Sequence, residues 1–446
     1  MRTLDVQAFI DEQGVTRTQL WVLTLCTAMM FIDGFDVFMI GKLAPAIAAG
    51  FGETPAAMTS VFLFQQIGLA IGAFAMGPIA DRFGRKRTLV FCTLCFSLMT
   101  FGAVFTRTLG EFALLRGLAG VFLSGVVPNA SALMTELSPR RRRSSFLSIL
   151  FVGYSAGGGA GALVAAFLLD RYGWHSGFWI GGLVPLFFLP FFIALVPESV
   201  QFLCRRNATD RRIARTLSQM RPDMEFSDTV FVSGEPERAG RSGPVVLFAD
   251  GRIRATALIW TACFLSMGNI ALLGAWMATF FQELGGISIQ RFALVSMVTF
   301  AGGILGTLTV GFFMDKFRPS RVLSLFFLGN ACTLVAITHA PFGTVLFAIA
   351  LTLNGFFQSA GQAGLNAIVA NAYPTSARAT GFAWAGGAGR IGGIISPVLG
   401  GLAVASHLSL QAVFALIALP PLGVIVTLVL LDRAQRRRAE MQLAAA

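Results

Sequence analysis

Apolar stretches recur along this chain at a length that suits a bilayer. A helix needs about 20 mostly apolar residues to cross the hydrocarbon core. Twelve such runs, bounded by charged or Gly/Pro-rich breaks, fall at 21–45, 57–80, 88–106, 110–134, 146–169, 178–196, 256–281, 292–314, 321–339, 343–370, 378–404 and 411–431. Residues 197–255 form the long polar stretch and divide the runs six and six. The pattern predicts an all-α integral membrane protein. It has a tail over 1–20, a six-helix bundle over 21–196, a central loop over 197–255, a second six-helix bundle over 256–431 and a tail over 432–446.

The two halves echo each other. GPIADRFGRKR at 77–87 returns as GFFMDKFRPSR at 311–321, 234 residues later. SPRRRRSS at 138–145 corresponds to YPTSARAT at 373–380, with Pro139 and Arg143 opposite Pro374 and Arg378 at an offset of 235. Pro185 and Pro420 keep the same offset. Landmarks sharing one spacing mark a parallel repeat. Two bundles related in this way make a transporter architecture, with the substrate site between them at mid-depth.

Composition adds sidedness. Of 34 Lys and Arg, 28 fall in the tails and in alternate loops (82–87, 140–143, 205–254, 316–321, Arg378 and 433–438). Positive residues collect on the cytoplasmic side, so both termini are expected there. The net charge of +12 then faces anionic headgroups, and no nucleic-acid partner is needed to explain it. Only 13% of residues are charged and the mean hydropathy is +0.73, unlike a soluble domain. The first 20 residues lack the apolar core of a cleaved signal. Cys92 and Cys95 form a C-x-x-C within a span, without neighbouring His or Asp, and read as apolar filler.

Ionisable residues inside spans carry the candidate chemistry, because a charge at membrane depth is costly unless paired, wet or protonated. Asp33 and Asp36 in FIDGFDVFMIGKLAP are three apart and share a helix face. Two adjacent carboxylates repel when both are ionised, so the pair suits a proton-coupling role. The sequence does not say which of them carries the proton. Arg390 in GAGRIGG offers a planar fork for a substrate carboxylate, or for an internal acidic partner. The G-x-G-x-x-G spelled by 387–392 follows no strand and is no dinucleotide fingerprint. Arg116 is expected to pair with an Asp of the first span or to touch substrate, and Glu136 to latch to the 140–143 arginines or the 82–87 loop.

Asp81, Arg82, Arg85 and Asp315 are candidates for contacts made in one conformation and lost in another. Lys42 either snorkels to the interface or faces the cavity. Gln65, Gln66, Asn129, Tyr154, Asn269, Trp276, Gln358, Gln362, Asn366 and Trp384 lie at mid-span and are expected to line a pocket, the tryptophans stacking on an aromatic ring. Gly153, Gly157 and Gly161 repeat at four-residue spacing and predict close helix packing. His175, His339 and His407 lie in the loops opposite the basic ones and are not nominated as proton carriers.

The G-x-x-x-D-R-x-G-R-K-R loop, PES at 197–199 and LRGLAG at 115–120 resemble the major facilitator superfamily along the whole chain. DGFD at 33–36, PNA at 128–130, YPTSARATG at 373–381 and GRIGG at 389–393 are similar to its bacterial aromatic acid:proton symporters. The resemblance implies a non-enzymatic importer of hydroxybenzoate-type carboxylates, working by alternating access in the inner membrane. It uses protons and no other cofactor, functions as a monomer, and its D-G-x-D is implicated in transport. At Lys42 this chain departs from the apolar or aromatic residue the family often carries. A proton-driven exporter and a membrane sensor are the alternatives. Span five, GYSAGGGAGALVAAF, lacks the proline of exporters' G-x-x-x-G-P-x-x-G-G.

Overall fold

A computed structural model describes residues 2–221, 224, 226, 229–232, 247–248, 252–373, 378–406 and 408–445. Side chains of 2, 378–379 and 435–445 are excepted. Pro374, His407, most of the central loop's second half and the side chains of Arg378, Arg436, Arg437 and Arg438 lie outside this set.

The helices are α1 (Val6–Glu12), α2 (Arg17–Gly50), α3 (Met58–Phe83), α4 (Arg85–Gly102), α5 (Leu109–Leu123), α6 (Val126–Glu136), α7 (Arg143–Phe167), α8 (Leu169–Tyr172) and α9 (His175–Leu195). The loop helices α10 (Val200–Arg206) and α11 (Arg211–Met220) follow. After them come α12 (Ile253–Glu283), α13 (Ile289–Lys316), α14 (Pro319–His339), α15 (Val345–Ala372), α16 (Arg378–Ala405), α17 (Leu410–Ile417) and α18 (Leu419–Ala445). The fourth span is split at Ser124–Gly125, and the last breaks just before Pro420, whose ring cannot continue the preceding hydrogen bonds.

Among the described residues eleven helices are long and apolar enough to cross a membrane. The twelfth expected span is α15, 28 residues and so ample in length. It carries Asn354, Gln358, Gln362 and Asn366 at spacings of four, a polar stripe along one face that lowers its apolar character.

The chain divides into two compact units that do not follow the halves of the sequence. One comprises Met1–Met39, Phe64–Gly161 and Tyr172–Glu237; the other Ile40–Leu63, Ala162–Arg171 and Arg238–Ala446. The ends of α2, α3 and α7 remote from the basic loops therefore belong with the second-half helices. There Gly41 lets α2 meet the Gly274 carbonyl of α12, and Phe62 of α3 packs edge-on to Trp276 at 5.3 Å.

Glycine sets the spacing in the first unit too. A Cβ on Gly157 of α7 would overlap the backbone carbonyl of Phe31 on α2. A side chain there would force the two helices apart.

The N-terminal segment is folded rather than a free tail. β1 (Arg2–Asp5) pairs in parallel with β2 (Thr229–Val232), Leu4 opposite Phe231. Asp5 then caps α1 by accepting from the amides of Gln7 (2.9 Å) and Ala8 (3.2 Å). Val6, Phe9 and Ile10 enter one apolar cluster with Ile213, Leu217, Met220, Phe226 and Phe231. Burial of these side chains supplies what a four-residue ladder cannot. The same segment grips the 138–143 loop. Arg143 Nη2 donates to Gln7 Oε1 at 2.7 Å, and the Arg140 amide donates to Asp11 Oδ1 at 2.7 Å.

Candidate functional site

In the first unit the two aspartates of α2 meet different surroundings. Asp36 is fully buried and bidentate with Arg116 of α5: Nη2 donates to Oδ2 at 2.7 Å and Nη1 to Oδ1 at 3.1 Å. Thr100 of α4 closes a triangle. Its hydroxyl donates to Asp36 Oδ1 at 2.9 Å and accepts from Arg116 Nη1 at 3.0 Å. The guanidinium carbon lies 5.8 Å from the centre of the Phe178 ring on α9. Gly181, one turn along that helix, leaves room: a Cβ there would stand 3.5 Å from Asp36 Oδ1. The result is a neutral ion pair with matched fork geometry in a water-excluded place, the arrangement in which a buried pair is most strongly held.

Asp33 has no such partner. It is 2% exposed, and its Oδ1 has no hydrogen-bond partner among the described residues. Gln65 of α3 is likewise buried, with no partner for Oε1 among the described residues. Asn129 of α6 is tied to its own helix, Nδ2 donating to the Gly125 carbonyl at 2.7 Å. Tyr154 of α7 lies edge-on to Phe38 at 5.6 Å, where Gly34 brings the two backbones together.

The second unit holds the other nominated residues. Ser266 of α12 donates to Gln362 Oε1 at 2.7 Å, and Gln362 Nε2 donates to Asn366 Oδ1 at 3.2 Å. Gln358 Nε2 and Asn269 Oδ1 are buried without partners among the described residues. Trp276 is fully buried between Phe62 and Phe280, its Nε1 also unpartnered. Trp384 is 46% exposed and stacks on Trp260 at 5.7 Å. Arg390 is half-buried on α16. Its neighbours Gly389 and Gly392 press that helix against Cys263, Phe264 and Met267 of α12. One residue on a helix turns about 100°, so Arg390 projects away from the Gly389 contact.

The charged residues at the basic end of the first unit form a separate network. Arg85 contacts Asp81 at 2.6 Å and Glu136 at 3.6 Å, and Ser199 donates to Glu136. Arg82 lies 5.5 Å over the Phe83 ring. Asp315, the second-half counterpart of Asp81, is exposed with no hydrogen bond or ion pair among the described residues. Glu198, which sequence reading passed over except as part of PES, accepts from the amides of Lys86 (2.8 Å) and Arg87 (3.4 Å) at the start of α4. A carboxylate at a helix N-terminus is favoured by the orphan amides there. A cavity of about 300 Å³ opens beside it, lined by Arg87, Arg206 and Arg212 with Glu198 and Asp210 offsetting their charge. The carboxyl of Asp210 is held below its ordinary range by the Arg212 guanidinium, 2.7 Å away. Thr100 was also missed, since a lone hydroxyl in an apolar run carries no signal of its own.

Spanning helices that bury an ion pair and amide side chains at mid-length suit a multi-pass membrane transporter. The chain belongs to the Major Facilitator Superfamily, whose profile it matches over residues 26–342 and 259–444. It is 35% identical over 418 residues to the gallate transporter of Pseudomonas putida, covering 94% of this chain and 92% of that one. It is 31% identical over 421 residues to the 4-hydroxybenzoate transporter PcaK of Acinetobacter baylyi, covering 94% and 92%. Among solved structures, a mutant of the nucleoside transporter NupG superposes with a TM-score of 0.70 at 13% identity, over 93% of this chain and 100% of that one. A D-xylose-proton symporter gives 0.65 at 17%, over 90% and 96%. These two establish the fold alone.

Proposed function

We propose that this protein imports aromatic carboxylic acids of the hydroxybenzoate type together with protons, by alternating access, across a bacterial inner membrane, with both termini cytoplasmic. It works as a monomer and needs no cofactor beyond the proton gradient. The observation that carries the reading is the unequal treatment of two carboxyls one turn apart. Asp36 is neutralised by Arg116 and is structural. Asp33 has no counter-charge among the described residues, so it is the group that takes and releases the proton. Arg390 holds the substrate carboxylate through its fork. The amides of Gln358, Gln362 and Asn366 and the exposed face of Trp384 hold the ring and its hydroxyls. The relatives support this substrate class, being named as gallate and 4-hydroxybenzoate transporters.

Purified protein in liposomes, given labelled gallate, 4-hydroxybenzoate or benzoate with and without an inwardly directed proton gradient, tests the proposal. Accumulation of at least one acid above equilibrium only with the gradient is expected. Uptake indifferent to the gradient removes the proton, and absence of counterflow for every acid removes the substrate class.

A further inference from the structure

Lys42 lies six residues beyond Asp36 on α2, about 9 Å further along and about 120° round the helix. It is therefore turned away from the aspartates, and it belongs to the second unit. Its side chain is 9% exposed. Nζ donates to Ser296 Oγ of α13 at 3.1 Å and stands 5.4 Å from the Phe292 ring centre and 5.9 Å from that of Phe300. Residues 292, 296 and 300 are spaced four apart, so α13 presents ring, hydroxyl and ring in one stripe.

An ammonium has three donors. One reaches Ser296; the other two have no acceptor, and the charge has no carboxylate partner, among the described residues. Asp170 of the same unit accepts from Gln290 of α13 at 2.6 Å, six residues and about 9 Å before Ser296. Two aromatic faces offset only part of what an ammonium loses on leaving water. A buried cation with two idle donors, walled by rings, matches the charge, the two oxygens and the flat ring of an aromatic carboxylate.

We infer that Lys42, Ser296, Phe292 and Phe300 form a second anion subsite that takes the carboxylate of the incoming aromatic acid; this rests on the proposed substrate class. Lys42 is a binding residue distinct from Arg390.

The test is equilibrium binding to the full chain in lipid nanodiscs, using 4-hydroxybenzoate (or gallate, if that is the acid transported) and its uncharged amide as probes. Lys42→Met should raise the Kd for the acid about ten-fold or more, the size of a lost charge-assisted contact, and leave that of the amide unchanged. Lys42→Arg should restore most of the affinity for the acid. Equal affinity of wild type and Lys42→Met overturns the subsite. So does parallel weakening of acid and amide, or failure of Lys42→Arg to rescue, because each assigns Lys42 to packing. If Lys42→Met does not fold, Lys42→Arg and Ser296→Ala decide: near-normal acid binding by the first with weakened acid binding by the second supports the subsite, and any other pair of results overturns it. A wild type that transports none of the acids refutes the proposed function itself, a result separate from loss in the variant alone.

Discussion

Asp33→Asn and Asp36→Asn make the same chemical change one helical turn apart, and the structure predicts opposite outcomes. In Asp36→Asn the Arg116 guanidinium stays fully buried but loses both carboxylate contacts, at 2.7 and 3.1 Å, and gains an amide that competes to donate. Stripping one partner from a buried ion pair costs about 3–5 kcal/mol. At about 2 °C per kcal/mol for a bundle of this size, the thermal midpoint should fall by roughly 6–10 °C. Thr100 cannot compensate, since its hydroxyl already accepts from Arg116. In Asp33→Asn the replaced Oδ1 makes no hydrogen bond among the described residues. An isosteric neutral side chain there should change stability by less than about 1.5 kcal/mol. It should abolish gradient-driven accumulation while leaving acid binding in place. Thermal unfolding of purified variants, paired with liposome uptake, separates the two. Equal destabilisation by both variants, or an Asp36→Asn protein as stable as wild type, would refute the division of labour.

Three further outcomes follow from the geometry. Arg390→Lys keeps the charge but loses the bidentate fork, so the Kd for the acid should rise about ten-fold while folding, followed by thermal midpoint, is preserved. Gly157→Ala sets a Cβ against the Phe31 carbonyl and should cost about 1–3 kcal/mol, read as lower folded yield and midpoint. Deleting residues 2–12 removes Val6, Phe9 and Ile10 from their apolar cluster, a loss of several kcal/mol by area. It should render the stretch around Phe226 and Phe231 sensitive to limited proteolysis.

The spans were legible because lipid demands long apolar helices, and the duplication because basic loops return at one spacing. Asp33, Asp36, Arg116 and Arg390 stood out because ionisable groups are rare at that depth. What sequence could not supply is the rotation of each helix about its own axis. A helix apolar on every side has no preferred face to turn inward, so Arg116 had several possible partners. The choice of Asp36, 80 residues away, was fixed by contacts such as Gly34 on Tyr154 and Gly181 beside Asp36. Trp276 shows the same limit, since its mid-span position did not reveal that Phe62 and Phe280 enclose it. The N-terminal strand was missed for a different reason. Four residues carry too little periodicity to be read, and their partner lies more than 220 residues away.

Within the spans, Arg116 cancels Asp36, whereas among the described residues Asp33 has no ion pair and Lys42 is a buried cation without a carboxylate partner. One proton on Asp33 and one substrate carboxylate in the second unit each remove one unbalanced charge. A monoanion should therefore travel with a single proton, and the transported complex is neutral. A membrane potential does work of about 2.3 kcal/mol per charge per 100 mV, and on a neutral complex it does none. Liposomes with a potassium diffusion potential and no pH difference should show no accumulation, whereas a pH difference at zero potential should drive it fully. Accumulation driven by potential alone would require a second proton, and with it a second titrating group besides Asp33.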